Sequence, residues 1–331
     1  MKIKMKIHFK LSIILISLML IVFSSLGEEK APEAKPKVQE TGFWEGIGNL
    51  FLPHAEKRNV LYEKQTQYFL VTVEEDSKGL RHMVFNPNKG SQGIWNPKMP
   101  DELISNYCRF STIFLPALKI PPKRVLFIGL GAGIVPRFVR KNFPDAVIDI
   151  VEIDPEITII AENYFGFKKD DKIKITIGDG RDFINRNKEK YDVIFIDAYT
   201  ADRIPFQLTT IEFYQTVRDS LAPDGIMTAN IANLGKPTFI ASEIKTVRSV
   251  FPDLAVFITE NNSNYIPFSS YGRKLDNAEL KEKALKIEAE KRLSLNIGEM
   301  LDTRMPEDEI GKMIEKVDIL KDDFAPIETM K

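Results

Sequence analysis

The chain has 331 residues, 46 Lys and Arg against 47 Asp and Glu, 44% hydrophobic residues and a single cysteine. That size and apolar content exclude a disordered chain and a small disulfide-stapled scaffold, and predict one large or two modest globular domains. Cys108 alone excludes an intrachain disulfide or a thiolate metal cluster. His8, His54 and His82 leave little for a zinc site, and the near-zero net charge argues against a protein whose main work is neutralising nucleic-acid phosphates.

Lys2, Lys4, Lys6 and Lys10 precede an apolar run from Leu11 to Phe23, closed by the small-residue pattern Ser25-Leu26-Gly27. This is the layout of an export signal cleaved after Gly27, or of a short uncleaved membrane anchor over 1–27, with the lysines inside and the rest of the chain outside. The expectation is therefore an exported protein, or one held to a membrane by this single segment. Residues 28–40, rich in charge and proline, read as a solvated linker.

The folded body divides by texture into a small β domain over 41–100, a larger domain over 101–272 and a helical extension over 273–331. Strand-like runs at 60–62, 68–73 and 82–85, separated by polar turn residues, predict a small antiparallel sheet. Pro100 to Ala117 has helical spacing of its apolar residues, with Asp101 placed as an N-cap. Apolar runs at 124–128, 146–151, 173–177, 193–196, 226–231 and 255–259 then alternate with helical stretches at 134–142, 155–164, 181–186, 211–221 and 238–251. Strands apolar on both faces and separated by helices predict a doubly wound, mostly parallel sheet, whose ligand site lies at the carboxyl ends of its strands. After Tyr271 the chain is charged and helical over 277–295 and 306–316, and it closes on the motif Asp322-Asp323-Phe324-Ala325-Pro326-Ile327-Glu328.

The chemistry gathers at the strand ends. Gly129, Gly131 and Gly133 follow the apolar run 125–128 and open a helix, which lets backbone amides approach a ligand closely. A dinucleotide fingerprint would need glycine where this chain has Ile134, which argues against NAD. Glu152 ends the next strand, where a carboxylate can accept from vicinal ribose hydroxyls. Asp179, followed by Gly180, ends the third strand and can accept from an adenine amino group. Asp197 ends the fourth beside Tyr199, and there a carboxylate and an aromatic face can orient an amine and take its proton. Acids in register at successive strand ends point to an adenosyl ligand.

On these residues, the stretch from about Val60 to Ala232 with the final DDFAPIE resembles the polyamine aminopropyltransferase (spermidine synthase) family, in particular its bacterial spermidine-synthase-like branch. The resemblance implies a class I methyltransferase-like Rossmann fold preceded by a small antiparallel β domain. It also implies decarboxylated S-adenosylmethionine as donor, a putrescine-like small-molecule amine as acceptor and a tendency to homodimerise; since a sulfonium is already a good leaving group no metal is expected, and the charge balance leaves no nucleic-acid partner expected. Carried over residue by residue, Gly129, Gly131 and Gly133 match the nucleotide loop, Glu152 the ribose acceptor, Asp179 with Gly180 the adenine contact, and Asp197 the catalytic carboxylate. Gln92 and Tyr107 match the family's glutamine and tyrosine from the β domain and its following helix, and Tyr199 joins them on the substrate side.

Three departures each remove negative charge. The loop has Ala132 where the family has an Asp, and Arg109 stands where a Glu follows the family's tyrosine. The second acid after the fourth strand falls on Thr200, with Asp202 two places on as a substitute. Two other readings fit the same residues: a small-molecule methyltransferase using S-adenosylmethionine itself, which Ala132 favours, and an adenosyl-binding or interaction module that has lost its chemistry.

Overall fold

The computed structural model describes residues 58–86, 90–199 and 204–323; the leader at 1–27, the linker at 28–40, Thr200, Asp202 and the end of the closing motif lie outside the described residues. The described chain opens with four antiparallel strands in sequential order, β1 (Asn59–Gln65), β2 (Leu70–Glu75), β3 (Arg81–Phe85) and β4 (Ser91–Trp95). The β2–β3 turn is held by Asp76, whose Oδ1 accepts from the backbone N–H groups of Lys78 and Leu80 at 2.9 and 2.8 Å. Val71, Val73 and Met83 are fully buried and join the core of the following domain, so the small sheet is packed on it rather than tethered to it.

The helix expected over Pro100–Ala117 is shorter and broken. It consists of α1 (Asn106–Phe110), a 3-10 turn (Ser111–Ile113) and α2 (Phe114–Ala117), and Ser105 rather than Asp101 precedes its first turn. Asp101 sits in a turn and pairs with Lys141 at 2.7 Å. The break has a local cause: the Ser111 and Thr112 hydroxyls bond back to the carbonyls of Tyr107 and Arg109 and compete with the α-helical pattern.

Alternation follows as β5 (Arg124–Ile128), α3 (Ile134–Asn142), β6 (Val147–Glu152), α4 (Pro155–Tyr164), β7 (Ile173–Ile177), α5 (Gly180–Arg186) and β8 (Tyr191–Ile196). Then come α6 (Ile211–Asp219), β9 (Leu221–Ala229), β10 (Ile231–Ala232), α7 (Pro237–Val250), β11 (Ala255–Ile258) and β12 (Asn264–Ser270). The sheet order is β7-β6-β5-β8-β9-β12, with β10 and β11 both pairing β12. β5 to β9 are parallel, and β12 runs antiparallel to β9, β10 and β11. Val125, Phe127, Val193 and Phe195 face one packed layer; Leu126, Ile128, Ile194 and Ile196 face the other. The Phe127 and Phe195 rings stack at 4.5 Å across the β5–β8 pair, where the winding reverses and a crevice opens at the carboxyl ends.

The extension forms α8 (Asn277–Lys291), α9 (Ile297–Asp302) and α10 (Glu307–Ile314), which cover the two layers; α8 lies on α2 and α10 on α7. Tyr62 of β1 donates to Glu156 of α4 at 2.5 Å, and Lys64 forms an ion pair with the same carboxylate. These bonds fix the small sheet beside the crevice. Among the described residues no helix is long and apolar enough to cross a membrane.

Candidate active site

A cavity of about 470 Å³ occupies the crevice, walled on one side by the ends of β5, β6, β7 and β8 and on the other by the small sheet and α1. Gly129 makes the closure of β5 on β8 feasible. Its φ is +100°, its N–H donates to the Val151 carbonyl at 2.8 Å, and a Cβ there would lie 2.1 Å from the Asp197 carbonyl oxygen. Gly131 also lines the cavity, whereas Gly133 is set back at the N-cap of α3 and turns towards the Phe167 ring.

Glu152 ends β6 with its carboxylate facing the loop. Oε2 accepts the Leu130 N–H at 2.9 Å and Oε1 the Asp154 N–H at 3.0 Å, so the acid anchors the glycine loop while each oxygen keeps a further lone pair. Burial pushes this carboxyl above its ordinary value, opposed by those two backbone donors. Asp179 caps α5 by accepting the Asp182 N–H at 3.0 Å, and its second oxygen accepts from the Gln207 amide at 3.0 Å. Gly180 lies so close to Ile128 that a Cβ would meet its methyl at 2.5 Å.

Asp197 follows β8 directly. Its Oδ1 accepts from the Asn230 amide at 2.9 Å, and Asn230 in turn accepts from Asn264 at 2.7 Å. Burial pushes the Asp197 carboxyl up to about 6, with the Asn230 donor acting against it. Tyr199 donates to the Asn230 carbonyl at 2.5 Å, which ties the strand-end loop to β9. From the other side, Tyr107 of α1 donates to the backbone carbonyl of Gln92 at 2.6 Å, and burial raises its phenol well above the ordinary range. Cys108 lines the same wall, but burial pushes its thiol up to about 12, so it carries no thiolate at neutral pH.

The cavity thus brings together Gly129, Gly131, Glu152, Asp179, Gly180 and Asp197 with Gln92, Tyr107 and Tyr199; Asp202 lies outside the described residues. Arg109 points elsewhere, into a separate cleft of about 620 Å³ between the 99–104 segment, α3 and the end of α8. The structure adds three features to the residues read from the sequence. One is Asn230, which sits at the end of the fifth parallel strand, where the rule that found the acids would have found it. Another is the aromatic wall of Tyr68, Phe69 and Phe85. The third is the 3-10 turn Phe206–Leu208, which lines the cavity beside Asp179. Among the described residues no group of His, Cys, Asp and Glu gathers that could hold a metal ion.

Residues 112–277 match the Spermine/spermidine synthase domain. A polyamine aminopropyltransferase of Vibrio vulnificus is 32% identical over 216 residues, 63% of this chain and 71% of that protein. The human methyltransferase-like protein 13, solved in complex with SAH, is 30% identical over 58% of this chain and 95% of its own, with a TM-score of 0.52. A probable spermidine synthase from Corynebacterium glutamicum shares the fold at a TM-score of 0.65 and 19% identity, covering 81% of this chain and 98% of that one. The domain match and the aminopropyltransferase relative together establish that this chain belongs to the spermine/spermidine synthase family of transferases.

Proposed function

We propose that the chain transfers an aminopropyl group from decarboxylated S-adenosylmethionine to a small-molecule amine, with Asp197 as general base. One observation carries this reading: Asp197, whose carboxyl is pushed up to about 6 by burial, lines a single cavity together with the acids Glu152 and Asp179 and the aromatic residues Tyr68, Phe69 and Phe85. Gly131, Glu152 and Asp179 hold the adenosine so that the sulfonium faces Asp197. The acceptor nitrogen attacks the propyl carbon next to sulfur, the C–S bond breaks with its electron pair going to sulfur, and methylthioadenosine leaves. The proton lost by the nitrogen passes to Asp197 and on to water. The sulfonium is already a good leaving group, so the protein contributes alignment and charge placement. The similarity to an aminopropyltransferase supports the donor class.

A second reading, methyl transfer from S-adenosylmethionine to a small molecule, is favoured by Ala132 on the cavity wall and by the similarity to a methyltransferase solved with SAH. Without an acid at that position, the loop has no partner for the donor's ammonium. The purified chain given decarboxylated S-adenosylmethionine and putrescine should form methylthioadenosine and spermidine. Calorimetric preference for the carboxylated donor, with no methylthioadenosine formed, would replace aminopropyl by methyl transfer. If residues 1–27 act as a leader or anchor, this chemistry takes place outside the cytoplasm, and a reporter fused after Lys331 tests that topology.

A further inference from the structure

The closing Asp-Asp motif has no task in the proposed reaction, yet its first acid reaches the nucleoside end of the cavity through one arginine. Arg181 follows Gly180 at the start of α5, and its side chain is only 14% exposed. It donates through both terminal nitrogens to Asp322, to Oδ2 at 2.7 Å and to Oδ1 at 3.3 Å, the two-pronged arrangement that fixes a guanidinium in orientation as well as in place. The same NH1 donates to the Gln207 carbonyl at 3.1 Å and to the Thr210 hydroxyl at 3.0 Å, while the Thr210 hydroxyl donates to Asp322 at 2.6 Å. Gln207 then donates from its side chain to Asp179 at 3.0 Å.

The chain leading to Asp322 is itself fixed. The Leu320 N–H donates to Thr246 at 2.9 Å, the Leu320 carbonyl accepts from the Ile211 N–H at 2.8 Å, and the Asp322 N–H donates to Glu212 at 3.0 Å. Contacts therefore run without a break from the C-terminal segment through Arg181 and Gln207 to an acid on the cavity wall.

We infer that Asp322 is a positioning residue for the nucleoside site, an assignment that rests on reading the cavity as an adenosyl site. By holding Arg181, it keeps the turn Phe206–Leu208 seated against Asp179. Without its carboxylate, the guanidinium loses its ionic partner and one of its two acceptor oxygens, so segment 204–210 is loosened next to the ligand. The Asp322 side chain is 49% exposed, so the clasp weakens with added salt.

The test uses the full chain carrying Asp322→Asn, Gln207→Ala and both together, with methylthioadenosine binding read by calorimetry. Asp322→Asn should weaken binding about tenfold and Gln207→Ala comparably. The double variant should be no worse than the weaker single one, and Asp322→Glu should recover most of the loss. In the ligand-free chain, Asp322→Asn should speed hydrogen exchange of amides in 204–210 while leaving β5 and β8 unchanged. Affinity within about twofold of wild type, additive losses, or exchange accelerated evenly across the sheet would overturn the assignment. If the wild-type chain binds no adenosyl compound, the adenosyl reading falls, and with it the assignment to a nucleoside site. The exchange measurement then decides the clasp itself, which unaltered exchange in 204–210 would refute.

Discussion

Replacing Asp197 by Asn should abolish activity and at the same time stabilise the protein. Burial lifts the carboxyl from an ordinary 3.8 to about 6, so the folded chain resists its ionisation by roughly 3 kcal/mol at full burial. The side chain is partly open to the cavity, which reduces the figure to about 2 kcal/mol. The folded pKa lies above the unfolded one, so the stability carried by the protonated acid is complete below about pH 4 and is lost as pH rises through 6. Asparagine cannot ionise, and its carbonyl can still accept from Asn230. Urea unfolding of both proteins at pH 4 and pH 8 should therefore show a stability difference that grows by about 2 kcal/mol in the variant's favour at the higher pH. Over the same range, wild-type kcat/KM should rise through a midpoint near 6 while the variant loses about a hundredfold or more. A stability difference independent of pH would refute the burial argument, and a variant of wild-type activity would refute the role as base.

Three further substitutions and one control follow from the fold and the site. Asn230→Ala removes the donor that opposes burial at Asp197, so the midpoint of the pH–rate profile should move above 6. Glu243 on α7 is fully buried, accepts from Tyr214 at 3.0 Å and has its other oxygen unpartnered, and burial pushes it up to about 8. Its protonated form contributes stability that is lost between about pH 4.5 and 8, so Glu243→Gln should exceed wild type in denaturant midpoint at pH 9 and match it near pH 4. Gly129→Ala sets a methyl 2.1 Å from a backbone oxygen at a positive φ and should cost about 3 kcal/mol or more, together with adenosyl binding. Gly311→Ala on α10, with open space around it, is the control and should be neutral or stabilising by up to about 1 kcal/mol in thermal unfolding.

The parallel strands were legible because a short, mostly apolar run that ends in Gly or an acid is too short for a buried helix and too apolar for a surface loop. The acids at the ends of β6, β7 and β8 were legible for a related reason: polar groups at buried strand ends face either solvent or a ligand. Strand β12 was not. It carries Pro267, which cannot donate to a ladder, and nothing in its residues tells that it inserts antiparallel between β9 and β11. Nor could local spacing show that hydroxyls at Ser111 and Thr112 would break a helix whose apolar periodicity continues through them. The direction of Arg109 was equally hidden, because a helix broken after five residues presents its faces according to packing rather than period.

The approach of β4 to the glycine loop after β5 has a consequence of its own. A Cβ built on Gly93 would fall 2.6 Å from the Ala132 methyl, so these two positions share one methyl's worth of space. Sequence drift at either is therefore conditional on the other, and the pair should co-vary across homologues. Reintroducing an acid at 132 to alter donor choice succeeds only if its carboxylate swings into the cavity, since β4 cannot retreat without disturbing the Tyr107 anchor on Gln92. On the proposed reading of the cavity, donor selectivity would thus be a joint property of two sheets.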